Sequence, residues 1–504
     1  MPFRSAVAAI VPAEGVPVTS RALGSGVVLA VTLAAAVVAL PAAALPTPAP
    51  DPHGPRADFN GDGYPDLAFA APGATVKGFK GAGYVGVAYG SRNGIKDSAK
   101  RVFTQASAGV PGTPEAGDAF GGAVASADLD QDGYADLVVG SPGEKIGTAA
   151  AGGGVTVLWG GPGGLAGGAT LLTGEEYAGL GRWLAVGDFD GDGTPDVVGA
   201  GHMALHALSG PFTRDGVAAA ATEIPNADDW RNLDVAAGDL NGDGRDDLAV
   251  VANDGDEYDA RRIMTGFGGP TGLGPDLTAV KGKNGYNLQG GEHIAVGNVN
   301  NDRYADLAVG RAVDGYDSDL DLPLAKGGML TYVPGGASGP QGTRAVVLNQ
   351  DSPGVPGVAE HSDNFGASVA IGDTDGDGYG EIAVGVPGED QGTVASAGGL
   401  VVLPGTAAGP TGLGSYGFNQ GTPDVVGAVE KNDRFGGAAA LRDLNGDGRT
   451  ELAVGAPGEN ADEGSLWVFP ATATGLAAKG SFSFGHGTLG TVATKAELGS
   501  GFNR

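Results

Sequence analysis

Residues 128–143 have the sequence DLDQDGYADLVVGSPG, and this pattern decides how the rest of the chain is interpreted. Carboxylates or amides occupy positions 1, 3, 5 and 9, glycine usually occupies position 6, and a short apolar run follows. Seven copies start at Asp58, Asp128, Asp188, Asp239, Asn298, Asp373 and Asp443. The starts are 51 to 75 residues apart, and a repeat of this period predicts stacked units, each packed on its neighbours, instead of one large core.

The side chains of one copy suit a calcium ion. Calcium takes six to eight oxygen ligands at about 2.3–2.6 Å, and a tight loop with oxygen-bearing side chains on alternate residues supplies them. In the second copy these are Asp128, Asp130, Asp132 and Asp136, together with the backbone carbonyl of Tyr134. Glycine at position 6 permits the sharp turn because it has no Cβ. The pattern therefore predicts a calcium-binding loop.

Six copies carry this ligand set, in which the position-7 residue contributes its backbone carbonyl. The predicted ligands are Asp58, Asn60, Asp62, Tyr64 and Asp66; Asp128, Asp130, Asp132, Tyr134 and Asp136; Asp188, Asp190, Asp192, Thr194 and Asp196; Asp239, Asn241, Asp243, Arg245 and Asp247; Asp373, Asp375, Asp377, Tyr379 and Glu381; and Asp443, Asn445, Asp447, Arg449 and Glu451. Copy five has Asn298, Asn300, Asp302 and Asp306 instead, with Arg303 at the glycine position. We expect copy five to bind calcium weakly or not at all, because two negative charges face an adjacent positive one.

Two other interpretations of the loop are open at this point. The first five positions also match an EF-hand, which needs a bidentate glutamate at position 12 and flanking helices. Position 12 is Phe69 in copy one and Val139 in copy two, and the apolar run that follows each loop predicts a strand. The other interpretation is that Asp-Gly-rich stretches are turns alone. Seven copies in fixed relation to a strand argue against it.

The residues around the second loop predict four strands, at 121–127, 137–141, 155–159 and 169–172. Four antiparallel strands per repeat form one blade of a β-propeller. The first unit has no room for a first strand, whereas residues 498–504 resemble a first strand that stops just before its acidic loop. We therefore predict an all-β, seven-bladed propeller of four-stranded antiparallel blades, in which the C-terminal strand closes the ring.

Composition agrees with a repeat protein of this kind. The 504 residues exceed the roughly 250–300 at which one hydrophobic core stops growing, and 96 glycines with 31 prolines suit short strands and tight turns. The net charge of −30 argues against nucleic acid and anionic lipid as partners. No cysteine is present, which excludes disulfides, a thiol nucleophile and a cysteine-based zinc site. Bound calcium can then take over the stabilising role of a disulfide.

The first 44 residues predict a leader and signal peptide. An apolar run at 26–40 follows Arg21, and Ala42-Ala43-Ala44 suits cleavage after about Ala44. An uncleaved anchor is the alternative, although 15 residues are short for a membrane span. Translation starting near Val18 would shorten the leader. Residues 45–56 are proline-rich and expected to be disordered, and 57–504 are expected to form the propeller.

Three dipeptides and the loops after them point to a known family. Phe-Gly stands eight residues before three loops, at 120–121, 365–366 and 435–436. Gly-Ala-Pro-Gly or a close variant follows these loops, at 140–143, 385–388 and 455–458. These motifs resemble FG-GAP repeats, which form the seven-bladed propeller of integrin alpha subunits and of many secreted bacterial proteins. The resemblance covers about 58–504 and implies calcium in the matched loops, on the face opposite the usual ligand face.

A second acidic pattern precedes the same Phe-Gly dipeptides. It is Glu-x-x-Asp, at Glu115/Asp118, Glu360/Asp363 and Glu430/Asp433. We expect these residues on the loops that join one blade to the next.

No sequence motif indicates catalysis. Nucleophile-elbow and phosphate-loop motifs are absent in the required context. His202 and His206 are four residues apart, which brings ligands together only on a helix, whereas 201–210 predicts a strand. The acidic segments 254–262 and 314–321 replace the usual Pro-Gly-Glu loop and are candidates for ligand contact, or else are solvated loops.

The function expected from these observations is a secreted, extracellular, calcium-binding module. We expect a non-enzymatic, monomeric binding or adhesion protein whose partner is an extracellular protein or glycan. The resemblance does not carry integrin function, and we expect no separate catalytic domain. An extracellular hydrolase or lyase with its site at the central channel, or a purely structural scaffold, are the alternatives.

Overall fold

The computed structural model describes residues 57–226, 230–255, 260–317, 322–324 and 326–503. Seven antiparallel sheets follow one another along this part of the chain, and each is one blade of a propeller. Among the described residues, no helix is long and apolar enough to span a membrane. The predicted leader, signal peptide and proline-rich segment lie outside the described residues.

The strands of the first three blades are β1 (Leu67–Ala71), β2 (Tyr84–Ala88) and β3 (Lys100–Phe103); β4 (Ala123–Ala127), β5 (Asp136–Ser141), β6 (Gly154–Leu158) and β7 (Ala169–Thr173); and β8 (Trp183–Gly187), β9 (Asp196–Ala200), β10 (Ala204–Ser209) and β11 (Ala220–Pro225). Those of the fourth and fifth blades are β12 (Arg231–Gly238), β13 (Asp247–Asn253), β14 (Arg261–Gly266) and β15 (Thr278–Ala279); and β16 (His293–Gly297), β17 (Asp306–Arg311), β20 (Met329–Val333) and β21 (Val346–Leu348). Between β17 and β20 lies a hairpin of β18 (Tyr316–Asp317) and β19 (Leu322–Pro323).

The last two blades contain β22 (Val369–Gly372), β23 (Glu381–Val386), β24 (Gly399–Leu403) and β25 (Tyr416–Phe418); and β26 (Ala438–Arg442), β27 (Glu451–Ala456), β28 (Ser465–Phe469) and β31 (Phe482–Phe484). A small hairpin of β29 (Ala471–Thr472) and β30 (Gly475–Leu476) precedes β31. The short helices are a 3₁₀ turn at Gly342–Arg344, α1 (Glu459–Asp462) and α2 (His486–Leu489). The predicted strands of the second unit are confirmed to within two residues.

The C-terminal residues complete the first blade, which otherwise has three strands. Phe502 forms an antiparallel bridge with Phe69. The N–H of Ala70 donates to the carbonyl of Gly501 at 2.9 Å, and the N–H of Asn503 donates to the carbonyl of Ala68 at 3.1 Å. The predicted closure of the ring by the C-terminal strand is confirmed.

The hydrophobic core is divided among the junctions between blades. Seven clusters of buried apolar residues occur, and each joins residues of two neighbouring blades. At the junction of blades six and seven, Phe435 is fully buried, and its ring lies 5.4 Å from that of Trp467. The phenylalanine of each Phe-Gly dipeptide therefore packs between its own blade and the preceding one and stabilises their contact.

The glycines of the two family motifs meet at these junctions. Gly436 has a φ of 88°, and a Cβ there would lie 2.1 Å from the carbonyl oxygen of Gly399. A Cβ on Gly385 would lie 1.9 Å from the carbonyl oxygen of Gly436. Real Cβ atoms do not approach this closely, so Phe-Gly and Gly-x-Pro-Gly are required for backbone contact between blades six and seven.

Candidate metal centres

Six acidic loops connect the first and second strands of their blades, and loop one precedes β1 in the equivalent position, so all seven lie at one end of the ring. The carboxylate at position 1 shapes each regular loop. In loop one, Asp58 accepts the backbone N–H groups of Gly61 at 2.7 Å, Asp62 at 3.2 Å and Gly63 at 2.8 Å. The side chain at position 2, Phe59, is fully buried and anchors the loop. These contacts fix the position-1 oxygens above the centre of the loop.

The carboxylate at position 9 is buried beneath the loop. Asp66 accepts the N–H of Phe59 at 2.8 Å and the N–H of Gly90, which follows β2, at 2.7 Å. Burial raises the pKa of Asp66 to about 7, and in loop two it raises the pKa of Asp136 to about 8. Nearby loop carboxylates add to the rise. A bound cation would favour the ionised form of these groups.

Three loops bring the side-chain oxygens of positions 1, 3 and 9 within 4.8 Å of one another. They are Asp128, Asp130 and Asp136; Asp188, Asp190 and Asp196; and Asp373, Asp375 and Glu381. In loops one, four and seven an asparagine occupies position 3. Oxygens this close together can all bind one calcium ion, which holds its ligands at about 2.3–2.6 Å.

Two buried oxygens at position 3 have no hydrogen-bond partner, which tests the fit of a metal independently. They are Oδ1 of Asp130 in loop two and Oδ1 of Asn445 in loop seven. Buried polar oxygens in proteins are normally satisfied by a donor or an ion. The donor set is oxygen only, so these loops fit a hard cation such as calcium.

Position 5 lies at the rim of each loop, where its carboxylate is more exposed. In loop two, Oδ1 of Asp132 accepts the N–H of Tyr134 at 3.1 Å. The structure thus brings positions 1, 3 and 9 together and leaves position 5 further out. The predicted role of the position-7 carbonyl remains a prediction.

Glycine at position 4 of a loop lies close to the next loop, a contact that we did not predict from the sequence. A Cβ on Gly61 would lie 2.5 Å from the ring of Tyr134, the position-7 residue of the next loop. A Cβ on Gly446 would likewise lie 3.2 Å from the ring of Tyr64, across the closure of the ring. The sequence contained a sign of this contact. Five of the seven copies have glycine at position 4, in addition to the carboxylates or amides at positions 1, 3, 5 and 9.

Backbone hydrogen bonds link successive loops. The N–H of Ala135 in loop two donates to the carbonyl of Asp58 at 2.9 Å, and the N–H of Thr450 donates to the carbonyl of Asp373 at 2.8 Å. Proline occupies the donor position in loops one and three, at Pro65 and Pro195, and so cannot make this bond. The conformation of most loops is thereby coupled to that of a neighbour.

Loop five differs from the others in its hydrogen bonds. The side-chain amide of Asn298 donates to the carbonyl of Asp302 at 2.6 Å, and that of Asn300 donates to the carboxylate of Asp302 at 2.9 Å. Asn60 in loop one makes the same contact with Asp62 at 3.0 Å, so loop five is distinguished by the amide of Asn298 at position 1, where the other six loops present a carboxylate. This geometry supports the prediction of weak calcium binding there.

Loop two has a cationic neighbour that the sequence did not indicate. The Nε of Arg214, from the third blade, lies 2.5 Å from Oδ2 of Asp130, and its guanidinium also contacts Asp132. The guanidinium lies 5.5 Å from the centre of the Trp159 ring. Because Arg214 shares two predicted ligands, it would compete with a metal ion in this loop.

The other candidate residues lie away from the loops. His206 is in β10, whereas His202 precedes it and packs edge-on against Trp183 at 5.4 Å. The two imidazoles are therefore not on one helix. The described residues of segments 254–262 and 314–321 follow the second strands of blades four and five, at the end opposite the acidic loops. Residues 256–259 and 318–321 of these segments lie outside the described part of the chain.

The geometry above agrees with a comparison to known families. A model of the FG-GAP repeat matches residues 56–87, 120–158, 365–403 and 435–469. The chain contains FG-GAP repeats in four places. The matches fall in blades one, two, six and seven of the propeller, and blades three, four and five have the same four-stranded order without a match.

The curated relatives are longer proteins. Phosphatidylinositol-glycan-specific phospholipase D is 30% identical in Rattus norvegicus and 31% identical in Homo sapiens, over 201 residues in each case. These alignments cover 38% of this chain and 23% of each relative. The matched region thus spans less than a quarter of the relatives' length.

Two solved structures are similar at low levels. A chain of BBS1N in complex with ARL6DN, soaked with lead, has a TM-score of 0.38 and 12% identity, covering 73% of this chain and 82% of that chain. A triple mutant of AofleA from Arthrobotrys oligospora has a TM-score of 0.37 and 13% identity, covering 72% and 86%. Scores this low carry no argument about function.

Proposed function

We propose that this FG-GAP propeller is a secreted, calcium-binding module that adheres to an extracellular protein or glycan. The observation that carries the proposal is the ring of oxygen-lined loops at one end, with buried oxygens in loops two and seven that lack a donor. Filled sites would stabilise the propeller, since a site at 100 times its dissociation constant contributes about 2.7 kcal/mol. The opposite end would then be free for a partner.

Charge and surface chemistry support a protein or glycan as the partner. The chain carries a net charge of −30, which opposes binding to nucleic acid or to anionic lipid. The sequences of segments 254–262 and 314–321, whose described residues lie at the opposite end, contain acidic residues and tyrosines. Tyrosine is enriched in binding surfaces because it combines a large apolar ring with a polar tip. We assign these segments as the partner-contacting loops.

The second candidate is an extracellular hydrolase with its site at the central channel. The inner strands of all seven blades surround a cavity of about 460 Å³, lined at its ends by charged residues that include Arg182 and Asp188. The matched relatives are phospholipases D, but the alignment reaches under a quarter of their length. We therefore place this candidate second.

Calcium-dependent retention tests the proposal. The purified protein would be passed over immobilised cell-wall glycans and extracellular proteins, in calcium and in chelator. We expect retention that chelator abolishes, and loss of retention when both acidic segments are replaced by short Gly-rich loops. Retention that survives the replacement would refute the assignment of these segments, and turnover of a polysaccharide or ester substrate would favour the hydrolase. Analysis of the culture medium and of the mature N-terminus tests secretion and cleavage.

A further inference from the structure

A group of four polar residues recurs at three blade junctions, at the end of the ring opposite the acidic loops. Each group has a glutamine, a glutamate ten residues later, an aspartate thirteen residues later and a second glutamate 39 residues later. The groups are Gln105, Glu115, Asp118 and Glu144; Gln350, Glu360, Asp363 and Glu389; and Gln420, Glu430, Asp433 and Glu459. Their common spacing indicates one structure built three times, and it extends the Glu-x-x-Asp pattern of the sequence.

The third group, which we call the Gln420 pocket, joins blade six to blade seven. Gln420 follows β25, Glu430 and Asp433 precede β26, and Glu459 follows β27. The N–H of Glu430 donates to Oδ2 of Asp433 at 2.8 Å, and Nε2 of Gln420 donates to Oε2 of Glu459 at 2.7 Å. One carboxylate oxygen from each of Glu430, Asp433 and Glu459 lies within 4.8 Å of the others. Three acidic side chains thus converge on one small volume.

An unsatisfied buried oxygen points to a ligand in this pocket. Gln420 is only 5% exposed, and its Oε1 has no hydrogen-bond partner, although its Nε2 lies against Glu459. The amide oxygens of Gln105 and Gln350 are buried and unpartnered in the same way. Rotation of the amide would turn Oε1 toward the carboxylates. That orientation is favourable only when a cation lies between these oxygens.

We propose that the Gln420 pocket binds a hard divalent cation, with Glu430, Asp433, Glu459 and the amide oxygen of Gln420 as ligands. Calcium is the expected ion, because it accepts carboxylate and amide oxygens in flexible geometry, with opposite ligands about 5 Å apart. The ligands come from the last connection of blade six and the second loop of blade seven. The ion therefore bridges blades six and seven on the face opposite the acidic loops.

The first group has a neighbour that alters its pocket. Nζ of Lys145 lies 2.9 Å from Oε2 of Glu115, so an ammonium already neutralises one ligand of that group. Near the third, Arg434 pairs instead with Asp462 at 2.8 Å. We therefore expect tighter binding in the Gln420 pocket than in the group that contains Glu115.

Hydrogen–deuterium exchange of the full chain, titrated with calcium alone after chelator treatment, tests the site locally. We expect calcium to slow exchange in 427–435 and 458–463. Glu459→Gln should raise the calcium concentration for half-protection there at least about tenfold, since losing even a supporting group of a metal site costs 10- to 100-fold. Glu463→Gln, in the same segment, should leave it unchanged. Gln420→Asn, which shortens the amide and keeps all three carboxylates, should also weaken protection.

The outcomes separate this site from the acidic loops. Protection of 443–451 without protection of 427–435 would overturn the Gln420 pocket and leave the proposed function intact. Protection of 427–435 that persists in both the Glu459 and the Gln420 variants would also overturn it. Protection of 427–435 alone would support the pocket and count against the loops.

Discussion

Replacement of Gly436 by alanine tests why the Phe-Gly dipeptide contains glycine. The φ of 88° places Gly436 in the left-handed region, where alanine costs about 1–2 kcal/mol. Its Cβ would lie 2.1 Å from the carbonyl oxygen of Gly399, and overpacking of this kind costs about 1–3 kcal/mol. The hydrogen bond from its N–H to the carbonyl of Gly455, 3.0 Å long, would be strained, at about 1 kcal/mol. We expect Gly436→Ala to lower the free energy of unfolding by about 4 kcal/mol.

Gly78→Ala is the matched control for this experiment. Gly78 has a φ of 91°, and a Cβ there would have nothing within 4 Å. It should therefore show the backbone penalty alone, about 1–2 kcal/mol. Urea unfolding of both variants in calcium, followed by intrinsic tryptophan fluorescence, measures the difference. Equal losses in the two variants would refute the argument that close approach of blades six and seven requires glycine.

Three further predictions concern single features of the propeller. Asn298→Asp combined with Arg303→Gly should add one calcium site to loop five, measured by calorimetry as an increase in stoichiometry over the parent protein. Phe435→Ala should cost about 3–5 kcal/mol because it empties a fully buried junction, whereas Val358→Ala, at a side chain 68% exposed, should cost under about 0.5 kcal/mol in the same urea titration. Burial raises the pKa of Asp363 to about 6 from an ordinary value of 3.8, so in chelator the free energy of unfolding should fall as pH rises from about 4 to 6. In Asp363→Asn the free energy of unfolding should fall less steeply over this pH range, and an unchanged slope would contradict this prediction.

The fold could be predicted because its information is repeated along the chain. Each acidic loop is followed by an apolar strand, and four strands per unit predict a blade. Residues 498–504 predicted the closure of the ring because they resemble the first strand of a unit but stop before an acidic loop. Residue bounds such as those of β6 could be placed to within one residue, since glycine and proline punctuate each strand.

The tertiary contacts of the candidate sites could not be predicted in the same way. Arg214 contacts loop two from 82 residues away, and nothing in its local sequence indicates that contact. Asp433 belonged to a recognised Glu-x-x-Asp pattern, but its partners Gln420 and Glu459 come from two different connections. Only the packing of blade six against blade seven brings them together. The side chains at position 7 also pack on a neighbouring loop, which depends on ring geometry and not on the repeat itself.

Calorimetric titration of the chelator-treated protein with calcium, together with thermal melts in calcium and in chelator, measures directly whether calcium binds and stabilises the propeller. We predict about six sites in the acidic loops and one in the Gln420 pocket, and a large fall in melting temperature when calcium is removed. One site or none, with the same melting temperature in calcium and in chelator, would contradict this prediction. The loops would then be turns that build the propeller without a metal.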